Sequence, residues 1–168
     1  MQINIEIQAD DFNNTLSLIR QVIDQPQLIL KSIGETLLNR NRDRHKKQVA
    51  PDGSPWHPLS DMTLANKKGK RILYDHGDML GSVYPKVEGN ILTLAFGNEK
   101  AKWHHGGTKP YTIRPKKGKA LKFAGIYRKK VNHPGLHARP LLGFPDADAD
   151  AVTRLVQDHL EHQLSKKN

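Results

Sequence analysis

The 168-residue chain contains no cysteine. That absence excludes a disulfide framework, thiolate zinc sites, iron–sulfur clusters and a cysteine nucleophile. Aromatic residues make up 6% and apolar residues 36% of the chain, enough for a modest core but not for a large enzyme with a deep enclosed pocket. No purely apolar run exceeds three residues, as at Leu28-Ile29-Leu30, whereas a membrane-spanning helix needs about 20. The opening Met1-Gln2-Ile3-Asn4-Ile5-Glu6 lacks the basic and apolar regions of a secretory signal. The expectation is a single domain over residues 1–168, soluble, made in the cytoplasm and without a membrane partner.

One further absence is local. Residues 100–145 carry 12 basic groups and no acid, while residues 1–99 carry 12 of each sign. The net charge of +10 therefore comes from one segment. Such asymmetry suits an acidic partner: nucleic acid, an acidic protein surface or a membrane.

Periodicity then gives the elements. Ile3, Ile5 and Ile7 alternate with polar residues, as in a half-buried strand. Phe12, Leu16, Ile19 and Ile23 fall on one helical face, which Pro26 ends. A second helix begins near Gln27, with Leu30, Ile33 and Leu37 on its face, and closes in Arg40, Arg42, Arg44, His45, Lys46 and Lys47. Cations in a last turn suit the helix dipole. Short helical turns are expected at 61–66 and 78–82. A hairpin is expected from Ser82–Glu88 to Ile91–Phe96 across Gly89-Asn90, with Pro85 marking an edge. A weaker hairpin pairs Tyr111–Arg114 with Ala120–Phe123, its tip being Pro115-Lys116-Lys117-Gly118-Lys119. Asp146, Asp148 and Asp150 open a last helix carrying Val152, Leu155 and Val156 inward. The fold class is α+β: a small antiparallel sheet with two N-terminal helices and a C-terminal helix.

Catalytic patterns are thin. His104-His105 are adjacent and so diverge on any regular element. His133 and His137 are separated by Pro134-Gly135, which breaks the helix a metal pair would need. Asp75-His76-Gly77-Asp78 reads as turn and cap residues. No Gly-x-Ser-x-Gly elbow and no phosphate-binding loop occurs. The chain is read as no enzyme, with no cofactor, metal or small-molecule substrate. The candidate partner-binding residues are Lys109, Arg114, Lys116, Lys117, Lys119, Lys122, Arg128, Lys129 and Lys130. With Tyr111, Phe123 and Tyr127 nearby, the same cluster suits phosphate contact and base stacking, so a sequence-nonspecific nucleic-acid-binding protein is the alternative.

The middle of the chain carries a more specific pattern. Pro51-Asp52-Gly53-Ser54-Pro55-Trp56, Leu59-Ser60, Thr63, Lys67-Lys68-Gly69, Ile72-Leu73, Gly77-Asp78-Met79-Leu80 with Ser82, His104–Gly107, and Ala138-Arg139-Pro140-Leu141-Leu142-Gly143 follow one another in order. Together they resemble the phage virion morphogenesis family, the tail-completion proteins of Mu-like and related tailed phages and prophages. Asp52, Gly53, Trp56, Leu59, Gly77, Leu80, His104, Gly106, Arg139 and Pro140 match its motifs. The resemblance implies a structural assembly protein of the virion tail or neck. Its expected partners are other tail and neck proteins and further copies of itself in a ring; the basic finger from Lys109 to Lys130 then meets either the neighbouring neck or tail protein or DNA at the portal exit. Trp56 with Arg139-Pro140 is then either a core anchor or a subunit contact.

Overall fold

The computed structural model describes residues 13, 16–17, 19–20, 24–75, 77–116, 118–123 and 125–165. The strand expected at Ile3–Ile7 lies outside them, as does most of the first helix, of which Asn13, Leu16, Ser17, Ile19, Arg20 and Asp24 are helical.

Helix α1 spans Gln27–Lys47. Ile29, Ile33, Leu37, Asn41 and His45 recur every fourth residue, and this stripe is the buried face. The cationic end expected from sequence therefore divides. Arg42, Lys46 and Lys47 stay in solvent, whereas His45 turns inward with the stripe. Gln48 ends the helix in the left-handed conformation, φ 59°. Its main-chain N–H bonds the His45 carbonyl at 3.2 Å.

Helices α2 (Asp61–Asn66) and α3 (Asp78–Gly81) are short turns in the following loop. Ser60 caps α2 by accepting from the Thr63 N–H at 3.3 Å. Strands β1 (Val83–Glu88) and β2 (Ile91–Phe96) form the expected antiparallel hairpin, with Glu88 opposite Ile91 across the two-residue turn. Gly34 lets α1 settle on this hairpin, because a β-carbon there would lie 2.9 Å from Pro85 Cβ.

Helix α4 (Lys100–Gly106) was not foreseen. Its start is set by Asn98, whose side-chain oxygen accepts from the Lys100 N–H at 3.0 Å. Strands β3 (Tyr111–Ile113), β4 (Leu121–Phe123), β5 (Ile126–Arg128) and β6 (Val131–His133) then build a long nested arm. β3 pairs with β6 and β4 with β5. This corrects the expected second hairpin. Tyr111–Ile113 pairs with Val131–His133, not with Ala120–Phe123, so Pro115–Lys119 is a loop on the flank of the arm and not its tip. The physical reason is length: residues 114–120 face only residues 129 and 130 across the ladder, and the surplus is extruded. Helix α5 (Asp146–Ser165) closes the chain. The architecture is α+β, with three separate two-stranded antiparallel ladders among the described residues.

Two apolar clusters hold these elements. Ile29, Ile33 and Leu37 of α1 meet Leu92, Leu94, Val152, Leu155 and Val156. Ala50, Trp56, Met79, Leu80, Ala101 and Leu141 form the other. No described helix is long and apolar enough to cross a membrane.

Candidate functional site

The motif residues gather into a clamp around Trp56. This indole is 4% exposed, and its Nε1–H donates to the Pro140 carbonyl at 2.9 Å. Arg139, also buried, donates from Nε to the His57 carbonyl at 2.8 Å and from Nη2 to the Pro58 carbonyl at 2.9 Å. Its main-chain N–H donates to the His104 carbonyl at 2.8 Å. Leu141 continues the strap, donating its N–H to His105 Nδ1 at 3.1 Å and lying 3.1 Å from His45 Nε2 through its carbonyl. One extended segment thus ties α1, the Trp56 loop and α4 together. Trp56 and Arg139 are held in this clamp by hydrogen bonds to main-chain carbonyls, with Pro140 supplying one of them, whereas the Nδ1 atoms of His45 and His104 are buried without a hydrogen-bond partner.

The other motif residues have separable places. Asp52 Oδ1 accepts from the Ser54 hydroxyl at 2.6 Å and from its N–H at 2.9 Å. These bonds, the hydroxyl first, hold the exposed carboxyl below its ordinary value. Gly53, in the same turn, has φ +85°. Leu80 is buried beside Trp56, and Gly77 precedes α3. A β-carbon on Gly106 would meet nothing within 4 Å, whereas one on Gly107 (φ +70°) would lie 2.5 Å from the Leu136 carbonyl oxygen. The glycine that packing requires is therefore Gly107.

Buried ionic groups join α1 to α5. Asp148, read from sequence only as a first-turn acid, is fully buried. It accepts from Arg40 Nε at 2.6 Å and from Arg44 Nη1 at 2.9 Å on each oxygen. Burial raises its pKa, but the bonds from Arg44 and Arg40 outweigh that and leave the carboxyl below its ordinary value. His45 is lowered chiefly by burial and also by Arg44, against the opposing Leu141 carbonyl.

His104 is lowered by burial first, then by the charges of Arg139 and Lys100. Its Nδ1 is buried without a hydrogen-bond partner. His104 borders a cleft of about 780 Å3 between α2, residues 67–77 and α4. His133 and His137 do not converge: His133 stacks on Tyr111 at 4.8 Å, and His137 stacks on His57 at 3.6 Å. No group of three potential metal ligands exists among the described residues.

The described candidate binding cations lie on the arm or its root. Lys109, Arg114, Lys116, Lys119, Lys122, Arg128, Lys129 and Lys130 are exposed. They make no ion pair among the described residues. Lys117 lies outside the described residues. Lys122 sits opposite Tyr127, which is 65% exposed. The arm strands pair with one another and make no comparable packing against the helices.

The described residues thus form a small α+β chain with a core clamped around Trp56 and a cationic arm. The chain belongs to the phage virion morphogenesis family, whose pattern matches residues 7–161. It is similar to the tail completion protein S of Escherichia phage P2, with 25% identity over 140 residues, covering 77% of this chain and 80% of that protein. No solved structure matches it.

Proposed function

We propose that this protein is a structural component of phage tail assembly that completes the tail and enables it to join the head. Family membership and the name of the P2 relative support the tail role. The observation that carries the contact surface is the arm, whose eight described cations are exposed and make no ion pair among the described residues. In this reading the arm meets an acidic neighbour among the tail or neck proteins, and the protein resides in the virion after synthesis in the host cytoplasm. Several copies, each one domain, close into a ring at the top of the tail. Such a ring needs two different complementary surfaces per subunit. The cationic arm and the exposed acids Asp150, Asp158 and Glu161 of α5 are suitably opposite in sign.

The test is charge reversal on the flank loop. A Lys116→Glu, Lys117→Glu, Lys119→Glu variant is expected to fold normally and to lose head–tail joining, seen as a collapse in infectious yield. Normal yield would sink the reading.

A second reading is sequence-nonspecific nucleic-acid contact through the arm, favoured by the exposed Tyr127 beside Lys122. It requires affinity for duplex or single-stranded DNA that falls by several powers of ten with salt if about 6–10 phosphates are contacted.

A further inference from the structure

The cleft between α2 and α4 has an aliphatic floor of Leu59, Met62, Leu73 and Met79, with Lys68, Lys100 and His104 around it. Met62 is 56% exposed. Lys100 and His104 are four residues apart on α4 and so share one face. Lys67 spends its ammonium group inside the wall, donating to the Arg71 carbonyl. Lys68 and Lys100 have no ion pair among the described residues. Asp75 is the one carboxylate among the described lining residues.

Two further observations mark the cleft. The buried Nδ1 of His104 has no hydrogen-bond partner, an arrangement that costs free energy unless something supplies a partner. Leu73, in the wall, holds a left-handed backbone at φ 56°, which a branched, bulky residue rarely adopts and which tends to occur at functional sites. Leu59, Thr63, Lys68, Leu73 and His104, all carriers of the sequence resemblance, converge here although they are dispersed along the chain.

We infer that this cleft is a docking site for an extended segment of a partner protein that carries carboxylates beside aliphatic side chains. The aliphatic side chain takes the floor between Met62 and Leu73, and the carboxylates meet Lys68 and Lys100. The floor does not suit nucleic acid: the aromatic ring at its edge, Tyr74, is already covered by the Arg71 guanidinium at 4.7 Å. The exposed acids of α5, Asp150, Asp158 and Glu161, are helical and so do not supply such an extended segment from another copy. The inference rests on the assembly role proposed above and gives that role a second contact, separate from the arm.

The experiment is a nuclear magnetic resonance titration of the full chain with the synthetic peptide acetyl-Glu-Leu-Asp-Leu-amide and its uncharged counterpart acetyl-Gln-Leu-Asn-Leu-amide. The acidic peptide is expected to shift the His104 ring and the Met62 and Met79 methyl signals saturably. The uncharged one should bind at least about tenfold more weakly. A Lys68→Gln, Lys100→Gln variant should lose about tenfold in affinity with an unchanged melting temperature. Equal binding of the two peptides, no shift at the cleft, or displacement of the peptide by a single-stranded oligonucleotide at the same signals would each overturn the inference. The arm charge-reversal variant should bind the peptide as the parent does, so that failure at the cleft and failure of the arm are read apart.

Discussion

Arg44 Nη1 lies 2.9 Å from each carboxylate oxygen of Asp148, joining the end of α1 to the first turn of α5 across 104 positions of sequence. The carboxylate side chain is 1% exposed, so its charge is compensated within the protein and not by water. Removing one member of such a pair strands the other. Asp148→Ala is expected to destabilise the fold by about 3–5 kcal/mol, read as a lower denaturant midpoint.

The same pair gives an acid limit. Asp148 is lowered in the folded state, so its contribution is fully present above its unfolded value near 3.9. It is lost as pH falls from there through the folded value. Stability measured against pH should drop below about pH 4, and Asp148→Asn should flatten that drop while lowering stability at neutral pH.

His45 and His104 act at milder acidity. Both are lowered, burial being the leading cause in each. Their unfolded forms take up protons first, so stability is full above about pH 6.5 and declines as pH falls below it. His45→Gln should reduce the slope of stability between pH 6.5 and 5, at some cost in packing against Trp56, whose ring lies 5.6 Å away. An unchanged slope in both His45→Gln and His104→Gln would refute the assignment.

Neighbouring glycines provide a sharp contrast. Gly107→Ala must relieve both a positive φ and a contact of 2.5 Å with the Leu136 oxygen. A loss of about 1–3 kcal/mol is expected. Gly106→Ala meets no atom within 4 Å and should stay within about 0.5 kcal/mol of the parent. Thermal unfolding of the two variants side by side decides it.

Trp56→Phe keeps a ring but leaves the Pro140 carbonyl without its donor, which costs about 1–3 kcal/mol. Trp56→Ala removes the ring as well and should cost about 3–5 kcal/mol. Loss of the folded monomer in the alanine variant, monitored by circular dichroism, would support the clamp role over a subunit contact.

Local patterns were legible wherever burial follows period. The stripe Ile29, Ile33, Leu37 marks α1, alternating Leu92 and Leu94 mark β2, and Val152, Leu155 and Val156 mark α5. Helix α4 is hard to read because seven residues carry little periodicity; Asn98, whose side chain accepts from the Lys100 N–H just before it, is the available signal. The arm was misread because its outer pairing joins Ile113 to Val131 over a surplus loop, and short-range pattern cannot weigh such closure. The burial of Asp148 was illegible for a related reason. Its acid and the two arginines each have a sufficient local explanation in the helix dipole, and only packing of α1 on α5 brings them together. The cleft at His104 was hidden likewise, since its walls come from separate motifs.

The strap through Arg139, Pro140 and Leu141 has a consequence for synthesis. Trp56, His45 and His104 all wait for partners that the ribosome adds late, because the groups that complete them lie at 139–141. A nascent chain halted before that point would hold an uncapped indole and a helix α1 with no α5 to lie against. The clamp therefore closes only once residues 139–141 are available, and the folding rate should follow the slow closure of distant contacts more than the fast formation of α1.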